Sequence, residues 1–146
     1  MIEFEHELRP PANDEEWRAF HKIRRKVLFE GRGKLETYVA NHPDDSKPGN
    51  HPLVLLHQGA IIGVSRIDIS GPVAWLRRLA IQKDSQGLGH GRVLVRLAEA
   101  FARSQGCTET RCNAAVDAVG FYERCGYAPD SSVSAPLNSV AMWKKL

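Results

Sequence analysis

The sequence predicts a mixed α/β (α+β) fold, a mostly antiparallel central sheet flanked by helices. Three observations carry this. Apolar segments at 52–57 and 60–69 are separated by only Gln58-Gly59, which reads as a β-hairpin. A third apolar run, 73–82, is followed by the polar, glycine-rich stretch 83–91 and then by a strong amphipathic helix. A further strand at 108–114 completes a strand-loop-helix-strand unit. Together with the flanking segments, the order of elements is β-α-β-β-β-α-β-α-β.

Each element has its own local reason. Ile2, Phe4, His6 and Leu8 alternate on one face of a first strand over 2–8, which Pro10-Pro11 ends. Asn13 or Asp14 caps a helix with Glu15 and Glu16 in its first turn. Trp17, Phe20, Ile23, Val27 and Leu28 carry that helix to about Glu30, and Gly31 and Gly33 stop it. Residues 31–52 are irregular, with one short helix expected near 35–40. Val93, Leu94, Leu97, Ala98 and Phe101 share one face of the helix that follows the glycine-rich stretch, and Gly106 stands at its C-cap. A short helix spans 117–125 and ends at Gly126, and 132–144 supplies one or two closing strands.

At 146 residues the chain is expected to form one domain, 1–146, large enough to bury a core without disulfides or metal. Hydrophobic residues are 42% and charged residues 25%, which excludes a disordered or fibrous chain. The longest apolar runs are too short to span a bilayer, and the start Met1-Ile2-Glu3-Phe4-Glu5 lacks the features of a leader. Cys107, Cys112 and Cys125 are odd in number and not spaced as a metal or redox pair, which points to free thiols in a reducing cytoplasm and to no metal. Twenty Lys and Arg against 17 Asp and Glu give a net charge of +3, compatible with an anionic ligand but not calling for nucleic acid. The basic run His21-Lys22-Ile23-Arg24-Arg25-Lys26 keeps helical period and reads as a solvated face. Trp17, Trp75 and Trp143 are too scattered for a base-stacking platform.

The segment from Leu79 to Arg92 carries the chemistry. A strand feeds a glycine-rich turn that opens a helix, so backbone N–H groups and the positive end of the helix dipole face one point, an arrangement suited to phosphate or pyrophosphate. Lys83 and Arg92 stand close by in sequence. The segment lacks the Gly-Lys-Ser/Thr of a nucleotide-binding P-loop and the G-x-G-x-x-G of a dinucleotide fingerprint. What it does contain is Gln86-x-x-Gly89-x-Gly91; the plain alternative is a tight turn without a ligand.

Leu79-x-Ile81 followed by Gln86-x-x-Gly89-x-Gly91 resembles the central motif of the GNAT superfamily of N-acetyltransferases. Ala118-Val119-Gly120-Phe121-Tyr122-Glu123-Arg124-Cys125-Gly126-Tyr127 is similar to a second motif of that family, A-x-x-F-Y-E-x-x-G-[FY]. The resemblance is clear over about 73–128. It implies acetyl-CoA as donor and an amine as acceptor, by direct attack in a ternary complex. The amides of Gln86, Gly87, Leu88, Gly89, His90, Gly91 and Arg92 would hold the pyrophosphate. The strand edge at Leu79, Ala80 and Ile81 would pair with the pantetheine arm, and the Leu79 N–H would face the thioester oxygen. Tyr122 would be the general acid for the leaving thiolate.

Two positions depart from the family pattern. Ala115 stands where an asparagine often contacts CoA, so Asn113, two residues earlier, is the candidate substitute. Trp75 stands where some histone-acetylating members carry a glutamate base. Candidate bases are therefore Glu30, His51, His42 and Asp44 or Asp45. Arg77 and Arg78 lie beside the implied site, where one could bind an acceptor carboxylate or pair with Asp68. His90 is expected to be exposed, with its backbone more relevant than its ring. The resemblance implies a cytoplasmic enzyme acting on a small-molecule amine, without nucleic-acid or membrane partners, and a possible homodimer. The alternatives are a non-catalytic acyl-CoA-binding sensor and, more remotely, a nucleotide-binding protein.

Overall fold

The computed structural model describes residues 5–30 and 43–146. Strand β1 (His6–Arg9) leads to helix α1 (Asp14–Arg24), which continues as a π-helical turn, Arg25–Glu30. A short 3-10 turn, Pro43–Ser46, precedes β2 (Asn50–His57), β3 (Ala60–Ser70) and β4 (Val73–Ile81). Helix α2 (His90–Ser104), β5 (Glu109–Ala115), α3 (Val119–Arg124), β6 (Ala128–Pro129) and β7 (Ser139–Lys145) complete the order. The seven strands form one sheet in the order β1-β2-β3-β4-β5-β7-β6, antiparallel except at β4–β5. The expected mixed sheet is therefore present. Ile2, Phe4, Gly31, Gly33 and the helix expected near 35–40 lie outside the described residues.

Asn13 caps α1: its side chain accepts from the Glu16 N–H at 2.9 Å, and Glu16 in turn accepts from the Ala12 N–H at 2.7 Å. Arg9 clamps the same carboxylate at 2.6 and 2.9 Å and so ties β1 to the helix start. The α-helical period does not run to Glu30 as expected. Phe20 and Arg24 are buried four residues apart, but the next buried side chain is Phe29, a step of five that matches the wider π turn.

The run Leu53–Leu56 is apolar throughout because the sheet is covered on both faces. Val54 and Leu56 join Phe20 and Ile23 of α1, together with Val64 and Ala80. Leu53 joins Ile67, Leu76, Val95, Ala98, Cys112 and Met142 in the larger core beneath α2, while Leu55 packs with Ile62 and Leu94.

One irregularity shapes the centre of the sheet. Val64 pairs with Ala80 and Arg66 with Arg77, so Arg78 and Leu79 together stand opposite Ser65, a β-bulge in β4. Arg78 occupies it at φ +56°, a conformation uncommon for a residue other than glycine. The parallel ladder to β5 covers only Val73–Glu109, Ala74–Thr110 and Trp75–Arg111. Past Trp75 the two strands are no longer paired.

Candidate active site

The opening between β4 and β5 leads into a cleft of about 690 Å³. Leu79 from the bulge, Asn113 and Ala115 from β5, and Tyr122 from α3 line it, with Leu28 and Phe29 of the π turn on the opposite side. The wider turn thus brings Phe29 to the cleft beside Leu28. Asn113 and Ala115, the two β5 positions weighed from sequence, both reach the cleft wall.

Tyr122 is 8% exposed, and no hydrogen bond from a described residue reaches its hydroxyl. Burial, with smaller contributions from Cys112 and Cys125, pushes its pKa well above the ordinary phenol value, so it stays protonated. A neutral hydroxyl lining the cleft is a proton donor.

At the far end of β4 the loop folds back on the strand. A 3-10 turn spans Lys83–Ser85, and the Gln86 side chain donates to the Ile81 carbonyl at 2.8 Å. Gly87 and Gly89 take φ +77° and +88°, which only glycine adopts without cost. Gly89 caps α2 with no side chain, so the first amides of that helix are left for a ligand. A Cβ at either glycine would meet nothing within 4 Å, and the cradle is open. Gly91 serves packing: a Cβ there would come within 3.2 Å of the Phe121 ring. Leu88 and Arg92 are exposed beside the turn. These features fit a pyrophosphate-bearing ligand.

His90 overturns its expectation. It is 8% exposed rather than solvated, because the first residue of α2 turns its ring inward against β1 and β2. Its Nδ1 lies 2.8 Å from His6 Nε2 in a hydrogen bond, and desolvation, followed by His57 and His6, lowers its pKa.

The remaining candidates separate. His51 is half-buried, sets its ring edge-on to Phe101 of α2 at 5.1 Å, and is not among the residues lining the cleft. Asp45 is engaged by Arg24 at 2.9 and 3.1 Å and by Arg66 at 3.3 Å. His42 and the Glu30 side chain lie outside the described residues. Arg77 takes Asp68, at 3.6 Å, and stacks on Trp75. Arg78 points into the cleft, where it shares a wall with a second cavity of about 590 Å³ lined by Asp44, Asn50, Arg66, Asp68 and Arg77.

This second cavity carries surplus positive charge. Arg66 clamps Asp68 at 2.8 and 2.9 Å, and the described lining sets Lys47, Arg66, Arg77 and Arg78 against Asp44 and Asp68, while Asp45, bound by Arg24 and Arg66, lies outside it. Arg24 is 3% exposed, and its Nε and Nη2 have no hydrogen-bond partner among the described residues. Partial desolvation, then Arg24 and Arg66, lowers the pKa of Arg78. Sequence reading missed this cluster because Arg24 and Asp45 join it from distant segments. It also missed a buried network in which Tyr127 Oη shares a hydrogen bond with Thr110 at 2.7 Å and donates to Glu99 at 2.8 Å. Lys144 binds the same Glu99 carboxylate at 3.1 Å.

The sequence profile of the Acetyltransferase (GNAT) family matches residues 13–127. The chain belongs to the GNAT family. This GNAT protein is an N-acetyltransferase by family, and its relatives agree. A protein of Bacillus subtilis (strain 168), provisionally named an acetyltransferase, is 28% identical over 106 residues, 73% of this chain and 72% of its own length. A solved structure from Lactobacillus plantarum, provisionally named an N-acetyltransferase, is 26% identical with a TM-score of 0.80, covering 97% of this chain and 98% of that one. Spermidine N-acetyltransferase from Vibrio cholerae, solved with CoA and spermine, is 20% identical with a TM-score of 0.72, over 97% and 96% of the two chains, and shares the fold. Among the described residues, no helix of this GNAT protein is long and apolar enough to cross a membrane.

Proposed function

We propose that the protein is a single-domain enzyme that moves an acetyl group from acetyl-CoA to the primary amine of a small molecule, by direct attack in a ternary complex. The observation that carries this reading is the opening between β4 and β5, with uncapped α2 amides at one end and the buried Tyr122 inside. The amides over 86–92 bind the pyrophosphate, the unpaired edge of Leu79–Ile81 holds the pantetheine arm as an added strand, and the Leu79 N–H polarises the thioester carbonyl. Tyr122 gives its proton to the departing thiolate and recovers one from solvent, while the attacking nitrogen loses one to water. Asn113 contacts the arm from β5.

The arginine cluster narrows the acceptor. A polycation would meet Lys47, Arg66, Arg77 and Arg78 against Asp44 and Asp68 among the described residues lining this cavity, whereas an acceptor bearing a carboxylate or other acid would find donors at Arg78. We infer an amine that also carries an acidic group.

Free CoA release in an amine screen tests the enzyme reading. Tyr122→Phe should lower turnover by about 10²-fold or more while acetyl-CoA binding, read by thermal shift, stays. CoA binding without turnover on any amine would favour the sensor reading, and no binding of acetyl-CoA would remove both.

A further inference from the structure

Three imidazoles converge on the edge of the sheet remote from the acceptor cavity, and the acetyl transfer just described uses none of their rings. His6 comes from β1, His57 from the end of β2, and His90 from the first residue of α2. Strand pairing sets His6 directly opposite His57. The ring centroids lie 4.5, 4.6 and 5.0 Å apart, and one ligand nitrogen of each lies within 4.8 Å of the others. Half of the chain's six histidines, drawn from three distant segments, thus meet at one point.

We propose that His6, His57 and His90 form a binding site for a divalent transition metal of the zinc class.

The chemistry of the donor set supports this. Neutral imidazole is a favoured ligand for zinc and its neighbours, and three such ligands with one open position make a complete tetrahedral site once water is added. Tetrahedral zinc with Zn–N near 2.0–2.1 Å needs its nitrogens about 3.3 Å apart. The 2.8 Å His6–His90 contact is somewhat shorter than that value, all three ligand nitrogens lie within 4.8 Å of one another, and both His6 and His57 are half-buried, so modest ring rotation closes the site. On binding, the proton now held between His6 and His90 shifts to an outward nitrogen of its ring. Glu5 lies at the rim with its Oε2 3.1 Å from His57 Nε2, the carboxylate-to-imidazole arrangement that orients metal-bound histidines. Since His90 opens α2, a bound metal would pin the helix start to β1 and β2.

The test uses the full chain freed of any affinity tag and treated with chelator. Cobalt(II) should bind one to one and give the visible absorption of a tetrahedral site, and zinc(II) should bleach it by displacement. Zinc(II) should also raise the Tm of the wild type. His6→Gln and His57→Gln should each weaken zinc affinity by at least about tenfold, the smaller loss seen on removing even an outer-shell partner, while their circular dichroism and acetyl-CoA thermal shift remain those of the wild type. The proposal fails if the wild type shows neither a cobalt spectrum nor a zinc-induced Tm shift. It fails equally if both variants fold and bind zinc as tightly as the wild type. The acetyl-CoA measurement is independent, so its failure would touch the transferase reading alone.

Discussion

Tyr122 and Tyr127 lie five residues apart in one motif, and their surroundings give them opposite work. Tyr122 keeps a hydroxyl without a hydrogen-bond partner among the described residues, whereas the Tyr127 hydroxyl is committed to Thr110 and Glu99. Replacing Tyr127 by Phe would leave the Glu99 carboxylate, 3% exposed, with Lys144 as its remaining partner. Urea unfolding should therefore show Tyr127→Phe less stable by about 1–3 kcal/mol, the usual cost of stranding a buried polar group, with kcat unchanged. The opposite pattern would mean that the two tyrosines have been assigned the wrong way round. Only half of this contrast was legible in the sequence. The motif singles out Tyr122, but Thr110, Glu99 and Lys144 come from β5, α2 and β7, and no local spacing announces that they meet.

At the scale of elements, the local signals read well and the insertions did not. The cap of α1 was visible because Asn13 precedes three acidic residues, a pattern confined to one turn. Its energetics give a pH prediction. The Arg9 clamp, then the Ala12 N–H, pull the Glu16 carboxyl down to about 2 from an ordinary 4.5. A lowered carboxylate stabilises the fold above its unfolded pKa and ceases to do so as pH falls through the folded one. The Tm advantage of wild type over Glu16→Gln should thus be full above about pH 4.5 and close as pH falls toward 2; a pH-independent gap would remove Glu16 from the acid response. By contrast, the π turn at Arg25–Glu30 was hidden, because Val27 and Leu28 satisfy an α-helical spacing as well as a wider one. The bulge at Arg78 was hidden too, since a positive φ is foreshadowed only when glycine or asparagine occupies it. Both hidden features line the cleft.

Across the whole molecule, charge is spread unevenly although the net value is only +3. The arginine surplus on the acceptor side should set specificity. With saturating acetyl-CoA, amino-carboxylates should react at higher kcat/KM than polyamines of similar size. Arg78→Ala should raise KM for the acidic acceptor by about tenfold or more, the loss of one charged hydrogen bond, without altering the KM for acetyl-CoA. Preference for polyamines in the wild type would overturn the assignment. The order of elements and the β2–β3 hairpin were legible because they rest on local signals, while the arginine cluster and the three histidines arise only when distant segments meet.

The three-pair ladder between β4 and β5 has a consequence for how the sheet holds together. β1–β4 pair as antiparallel neighbours, and β5–β7 form a second antiparallel group. The two groups meet only through the crossover that contains α2 and the three parallel pairs between β4 and β5. The seam assigned to the cosubstrate is thus held by few strand pairs of its own, with the occupant acting as the missing mortar between two walls.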